Sequence, residues 1–289
     1  MPELPEVEVV KRSLEKKVLN LTIKKVKIND VNLRYKINKQ KIFYLVGKKI
    51  RKISRRSKFL IFKIEKNLYM LVHLGMTGKF FFVNEKNKKF KTSFYYNINQ
   101  DQDQKHDRVV VYFQNKQKLI YNDVRKFGFI KFYNLEEYEN NPHLKNLGPE
   151  PLQNGYNTKY LKNYFFKRNR SIKNILMDQK CISGLGNIYV NEILFMSRIK
   201  PTKKVSRLNN LELSRIVDNT KIILQNSIKL GGSSIKNFSI DDGKKGAFQQ
   251  HFKVYGRNGK KCSNVDCNMN IVRTTISSRA TYFCKSCQK

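Results

Sequence analysis

KFLIFKIEKNLYMLVHLGMTGKFFFV, Lys58 to Val83, reads as three short strands in succession. KFLIFKI, NLYMLVHL and GKFFFV are each of strand length, rich in aromatic and branched aliphatic residues, and separated by polar or glycine-containing breaks. Segments of the same kind lie on both sides. TIKKVKI (Thr22 to Ile28) and KKIRKIS (Lys48 to Ser54) precede it; RVVVYF (Arg108 to Phe113), KLIYND (Lys118 to Asp123) and FGFIKFY (Phe127 to Tyr133) follow. So many short strands within about 110 residues predict a β-sandwich or flattened barrel. Ahead of them, Leu4, Val7, Val10, Leu14 and Val18 recur at helical spacing, with a basic face at Lys11, Arg12, Lys16 and Lys17. Pro2 and Pro5 are expected in the first turn of that helix, where the missing amide costs nothing. NINQDQDQK, Asn97 to Lys105, is polar and low in complexity and reads as an exposed loop.

Downstream the period changes. ENNPHLKNLGPEPLQNGY, within Asn134 to Tyr156, is rich in Pro, Gly and Asn and marks a boundary. Four helices are expected after it: Lys159 to Arg168, Ile172 to Cys181, Asn187 to Met196 and Leu211 to Leu230. GGSSIKNFSIDDGKKGAF, Gly231 to Phe248, reads as a long loop. The fold class expected is α+β with two domains: an N-terminal helix and β-sandwich over 1–134, a linker over 135–156, a helical domain over 157–250 and a cysteine-bearing segment over 251–289.

Composition bounds the partner. Among 289 residues, Lys and Arg number 59 against 22 Asp and Glu, a formal net charge of +37. A polyanion is the partner such a balance favours, nucleic acid before an anionic membrane. The abundance of Lys, Asn and Ile is also what AT-rich coding produces, so charge alone assigns no function. There is no early apolar run of the signal-peptide kind, and runs such as LYMLV are far short of a membrane span. The expectation is a soluble, cytoplasmic protein.

The last segment carries a metal signature. Cys262 and Cys267 have four residues between them, Cys284 and Cys287 have two, and the sixteen residues separating the pairs read as a β-hairpin. Two close pairs across a hairpin supply four thiolates in a tetrahedron, which suits one structural Zn²⁺. Four cysteine ligands leave no open position, so chemistry must lie elsewhere. Arg273 and Arg279 lie between the ligands, where a stapled hairpin could present a guanidinium to phosphates or a groove; a solvated arginine is the competing reading. Cys181 stands alone in a predicted helix and reads as a small buried residue.

DQKCISGLGNIYVNEILF, Asp178 to Phe195, is a helix, a glycine-containing turn and a second helix. Free amides at the second helix's start would face a phosphate, and Asn187 could cap that helix or touch the same phosphate. Lys167, Arg168, Arg170 and Lys173 stand close by in sequence.

Taken in order, MPELPEVE, RRSKFL, HLGMTGKF, KHD, NDVRKFGF, LGPEPL, LMDQKCISGLGNIYVNEILF, GGSSIKNF and the cysteine hairpin resemble the formamidopyrimidine-DNA glycosylases of bacterial base-excision repair across the whole chain. The resemblance implies a nucleoid-associated monomer with a helix-two-turn-helix domain and a zinc finger behind the β-sandwich, and damaged duplex DNA held in the cleft between the domains. It implies an enzyme that flips an oxidised purine (8-oxoguanine or a formamidopyrimidine), cuts its glycosidic bond and cleaves the strand by β,δ-elimination. Removal of Met1 would expose Pro2 as a secondary amine. An α-amine titrates near ~8 against ~10.4 for lysine, so more of it is nucleophilic at neutral pH. Its iminium has no N–H to lose and stays a cation, an electron sink for the eliminations. Glu3 matches the acid/base carboxylate, and Glu6 a contact to the flipped base; both would otherwise read as carboxylates complementing a helix N-terminus.

Lys58, placed in the strand after RRS, matches a phosphate-contacting proton donor, and Arg279 an arginine that contacts phosphates and assists δ-elimination. Met76, Arg125 and Phe127 match the residues that fill the void left by the flipped base; without the resemblance, Met and Phe on strands would read as core. His106, Arg125, Arg168, Lys173 and Asn187 fall at DNA-binding positions. Gly232 and Ser233 belong to the loop that closes over the extruded base. The sequence departs from the family pattern in its longer first cysteine pair, in Lys126 where arginine is frequent, and in SSIKNF. Two alternatives stand beside this: an endonuclease VIII-like enzyme for oxidised pyrimidines, disfavoured by Leu4 and the Met76, Arg125 and Phe127 set, and a non-catalytic zinc-stabilised DNA-binding protein.

Overall fold

The computed structural model describes residues 1–92, 104–233 and 248–289. It separates into two compact units, one holding Met1–Lys145 with residues 231–233, the other Asn146–Leu230 with residues 248–289. Most of the sequence loop at 97–105 and of the loop at 231–248 lies outside the described residues.

In the first unit, helix α1 (Leu4–Val18) precedes all eight expected strands: β1 (Ile23–Ile28), β2 (Ile50–Arg56), β3 (Phe59–Ile64), β4 (Leu68–His73), β5 (Lys79–Val83), β7 (Asp107–Phe113), β8 (Lys118–Asn122) and β9 (Phe129–Tyr133). Strand β6 (Lys89–Lys91) is additional. They form two antiparallel sheets, ordered β1-β7-β8-β5-β6 and β2-β3-β4-β9. Period-2 alternation sorts their side chains. Leu60, Phe62 and Ile64 of β3, with Met70 and Val72 of β4, share one core with Phe80, Phe82, Val109, Val111 and Tyr121 of the other sheet and with Val7, Val10, Leu14 and Val18 of α1. Ile61, Leu71 and Phe129 point the other way into a smaller cluster. The sandwich is therefore one core between two sheets, closed by the apolar stripe of α1.

Local chemistry moves several boundaries. Pro5 lies in the first turn of α1 but Pro2 does not, because the helix is capped at Glu3. The stretch read as a linker holds α3 (Leu135–Glu139) and α4 (Pro142–Lys145), and a third short helix, α2 (Lys39–Phe43), also goes unseen in the sequence. A reciprocal cap starts α3: Asn134 accepts the Glu137 amide (2.8 Å) and Glu137 accepts the Asn134 amide (3.0 Å).

The second unit packs α5 (Thr158–Phe165), α6 (Ile172–Leu176), α7 (Asn187–Met196) and α8 (Asn210–Lys229) around a separate apolar core. Helix α6 is shorter than its periodicity suggests, and Cys181 lies in a turn rather than a helix, where burial pushes its thiol up to about 12. Side chains shape that turn. Gln179 donates to the Leu185 carbonyl (2.8 Å) and accepts the Gly184 amide (2.8 Å). The closing hairpin is β10 (Val272–Ile276) and β11 (Arg279–Phe283), turned at Ser277 and Ser278 with φ of 50° and 58°. Among the described residues no helix is long and apolar enough to cross a membrane.

Candidate active site and nucleic-acid interface

The start of α1 gathers ionisable groups in a buried setting. Pro2 is buried, Glu3 is 3% exposed and Glu6 1%. Glu6 Oε2 accepts the Glu3 amide (2.9 Å). Glu6 Oε1 accepts both the amide (2.8 Å) and the hydroxyl (2.9 Å) of Ser233. Glu6, expected at the flipped base, is thus a brace between the helix start and the 231–233 segment. Gly232 fits this approach with a left-handed φ of +83°; a Cβ there would stand 3.2 Å from the Glu6 carboxylate.

Lys58 is 6% exposed and sits in the two-residue turn between β2 and β3, not in a strand. That turn is tied down by Arg55, which donates to Glu8 of α1 (2.9 Å) and to the Ser57 carbonyl (2.9 Å). Burial lowers the α-amine of Met1 below its usual value; Glu3 and Glu6 pull it up, while the charges of Lys58 and Arg125 push it down. The amino end of the chain, both carboxylates and Lys58 therefore share one electrostatic neighbourhood. His73, unremarked in the sequence, belongs to it too. Burial, with the charges of Lys58, Arg34 and His143, brings its pKa to about 4, and its Nδ1 accepts the Gly75 amide (3.0 Å).

Met76 and Phe127 lie on turns, not strands, and are 36% and 47% exposed. The Arg125 guanidinium stacks 4.6 Å from the centre of the Phe127 ring. His106 ends a short 3₁₀ turn beside Arg108, whose Nη2 lies 3.1 Å from His106 Nδ1. Lys126 pairs with Asp30 (2.7 Å).

In the second unit, Arg279 is exposed at the hairpin turn. The residues expected to grip DNA nearby are partly committed to that hairpin. Lys173, 1% exposed, donates to Thr281 Oγ1 (2.5 Å) and to the Ala280 carbonyl (3.2 Å). Burial, then the Arg279 charge, brings its pKa down to about 8. Lys173, expected to grip the DNA backbone, thus supports the hairpin through its ammonium. Asn187 is the first residue of α7 rather than its cap, which is Gly186, and its side-chain amide donates to the same Ala280 carbonyl (2.9 Å). Arg168 is exposed and stacks on Tyr164 (4.2 Å). Sequence reasoning passed over Glu192. Its buried carboxylate accepts the amides of Lys253 (2.8 Å), Val254 (3.0 Å) and Tyr255 (2.8 Å), and so anchors the chain leading into the hairpin.

Cys262, Cys267, Cys284 and Cys287 bring their sulfurs within 4.8 Å of one another, so the cluster can hold a metal ion. The pairs Cys262–Cys287 and Cys267–Cys284 are 3.8 and 3.5 Å apart. A tetrahedron with bonds of ~2.3 Å has edges of ~3.8 Å, so the geometry fits a tetrathiolate ion.

Residues 1–130 match the formamidopyrimidine-DNA glycosylase N-terminal domain, and residues 147–239 the H2TH domain of the same enzymes. The formamidopyrimidine-DNA glycosylase of Rickettsia bellii is 39% identical over 289 residues, covering 100% of both chains. The chain belongs to the formamidopyrimidine-DNA glycosylase family. The Roseobacter denitrificans family member is 35% identical over 289 residues, again with 100% coverage of both chains. The Lactococcus lactis family member, solved in complex with DNA containing an abasic site, superposes with a TM-score of 0.84 at 34% identity over 99% of each chain. Its complex with DNA containing Fapy-dG gives the same TM-score and identity over 99% of this chain and 100% of that one.

Proposed function

We propose that the chain is a bifunctional DNA glycosylase and AP lyase of base-excision repair that removes oxidised purines, 8-oxoguanine and formamidopyrimidines, from duplex DNA. The observation that carries this reading is the buried grouping of Glu3, Glu6 and Lys58 around the amino end of the chain. Once Met1 is removed, the amine of Pro2 is the nucleophile. It attacks the sugar C1′; the C1′–N bond to the base breaks, the departing base takes up a proton as the Pro2 nitrogen sheds its own, and Glu3 protonates the ring oxygen as the sugar opens to the iminium. The C1′ iminium then accepts the electron pair left when a base removes a C2′ proton. The 3′ phosphate departs, and a second elimination releases the 5′ phosphate. Lys58 and Arg279 each neutralise a phosphate of the damaged strand, and hydrolysis of the iminium frees Pro2.

Met76, Arg125 and Phe127 fill the vacated stack, with Arg125 bonding the orphaned cytosine and Phe127 wedging between bases. Gly232 and Ser233 stand at the foot of the loop that covers the extruded base. His106, Arg168 and Asn187 serve the phosphate backbone, so binding falls steeply with salt. The four cysteines hold one structural zinc, which when bound supplies rigidity to the hairpin and no chemistry.

Borohydride trapping on an 8-oxoguanine duplex tests the reading. A covalent adduct that disappears in Pro2→Gly is expected. Zinc-loaded, Met1-processed protein that traps nothing refutes it. Faster trapping on thymine-glycol DNA than on 8-oxoguanine DNA would transfer the chain to the oxidised-pyrimidine branch.

A further inference from the structure

Met76 and the Arg125–Phe127 pair come from separate segments, yet buried polar groups bond the two turns to each other. Asp123 has no exposed surface. Its Oδ1 accepts the Thr77 hydroxyl (2.5 Å), and its Oδ2 accepts the Gly128 amide (2.9 Å) and, more weakly, the Tyr121 hydroxyl (3.4 Å). Thr77 Oγ1 in turn accepts the Arg125 amide (3.0 Å). An amide can only donate, so the hydroxyl proton of Thr77 is directed to Asp123. One hydroxyl thus bridges the residue after Met76 to the backbone of Arg125. The turns also touch through backbone. Gly75 holds φ +61°, and a Cβ there would lie 2.3 Å from the Gly128 nitrogen. From below, Arg108 Nε donates to the Asp123 carbonyl (2.9 Å), and the Asp123 amide donates to the His106 carbonyl (3.0 Å).

We propose that Thr77 and Asp123 are positioning residues that fix Met76, Arg125 and Phe127 relative to one another, and that their hydrogen-bond chain sets the preference for the base opposite the lesion. The inference rests on the void-filling reading above. Met76 and Phe127 are largely surface side chains and cannot hold that spacing by packing alone. A guanidinium that must bond one base and not another depends on where its backbone is held. Thr77 holds it by a bond that valine cannot make and serine can.

The experiment compares wild type, Thr77→Val and Thr77→Ser, with zinc bound and Met1 removed. Three rates are read: excision of 8-oxoguanine opposite cytosine, excision opposite adenine, and cleavage of a single-stranded oligonucleotide carrying a preformed abasic site. In Thr77→Val, excision opposite cytosine falls about tenfold, the weight of one net hydrogen bond, and the cytosine-to-adenine ratio falls with it. Cleavage of the single strand, which needs no void filling, changes less than about twofold on the same scale. Thr77→Ser restores the ratio. A parallel fall in all three rates, an unchanged cytosine-to-adenine ratio, or failure of serine to rescue each overturns the inference. If Thr77→Val does not fold, Thr77→Ala removes the hydroxyl without adding bulk and is judged by the same criteria. Wild type that traps no adduct refutes the glycosylase reading and this inference together; wild type that traps normally beside an unaltered Thr77→Val refutes this inference alone.

Discussion

Glu6 and Ser233 should be energetically coupled although 227 residues separate them in sequence. Ser233→Ala removes one hydroxyl bond to a buried carboxylate, worth about 1.5 kcal/mol for a charged acceptor. The Ser233 amide still donates to Glu6, so the loss stops there. Glu6→Ala removes the acceptor for three donors: the Glu3 amide, the Ser233 amide and the Ser233 hydroxyl. At about 1–3 kcal/mol per orphaned buried donor, partly relieved by relaxation, the cost is about 3–5 kcal/mol. In the Glu6→Ala background the serine hydroxyl has lost its acceptor, so Ser233→Ala should then cost nothing. The coupling energy of the cycle is therefore about 1.5 kcal/mol. For a unit of this size that is a Tm difference of roughly 3–6 °C for Ser233→Ala in wild type and less than about 1 °C in Glu6→Ala. Differential scanning calorimetry of the four proteins measures it. Equal Tm drops from Ser233→Ala in both backgrounds would refute the brace.

Three further outcomes are expected. The folded pKa of Lys173 is about 8 against ~10.4 unfolded, so its ammonium costs stability fully below pH 8, and the cost is relieved as pH rises towards 10.4. Urea unfolding of the second unit should therefore show wild type gaining about 2–3 kcal/mol on Lys173→Met between pH 8 and 10; a constant difference would contradict the burial. Stripping metal with a strong chelator should release one zinc per chain and destroy the borohydride adduct on duplex DNA, and Cys284→Ser should do the same, as read by elemental analysis and trapping. His73 should remain a neutral imidazole down to about pH 5, with its ring resonances shifting in NMR only near pH 4.

The strands were legible because alternation writes itself into sequence. Leu60, Phe62 and Ile64 face one core while Ile61 faces another, and no other element type has that period. Strand β6 and helix α2 were not, since KFK and KQKIF carry no periodicity and are fixed by pairing with Phe81–Val83 and by the Asn38 cap. Helix α6 ends sooner than its sequence suggests because, although apolar residues continue past Leu176, Gln179 bends the backbone with side-chain bonds that no spacing announces. The cysteines were legible from spacing alone. Pro2, Glu3, Lys58 and Phe127 stand out only by resemblance, since their residue types are common at helix starts, in basic chains and in cores. The braces Glu6–Ser233 and Thr77–Asp123 were hidden because their partners lie 227 and 46 residues apart.

Four of the exposed side chains assigned to DNA sit at tips: Met76 on the turn between β4 and β5, Arg125 and Phe127 between β8 and β9, and Arg279 at the β10–β11 turn. A tip can reach a duplex because nothing packs over it, and for the same reason packing cannot make it rigid. In each case a buried polar group supplies the rigidity from beneath: Asp123 through Thr77 under Arg125, and Lys173 with Asn187 on the carbonyl of Ala280, next to Arg279. Lys58, in a similar turn, has Arg55 bound to Glu8. The supporting bonds are made to backbone or by backbone neighbours, so they set where a tip stands without using its side chain. Substitutions in the Thr77–Asp123 support should therefore alter selectivity while leaving cleavage of a preformed abasic site intact, and substitutions at Met76 or Phe127 should weaken duplex binding while leaving the fold intact.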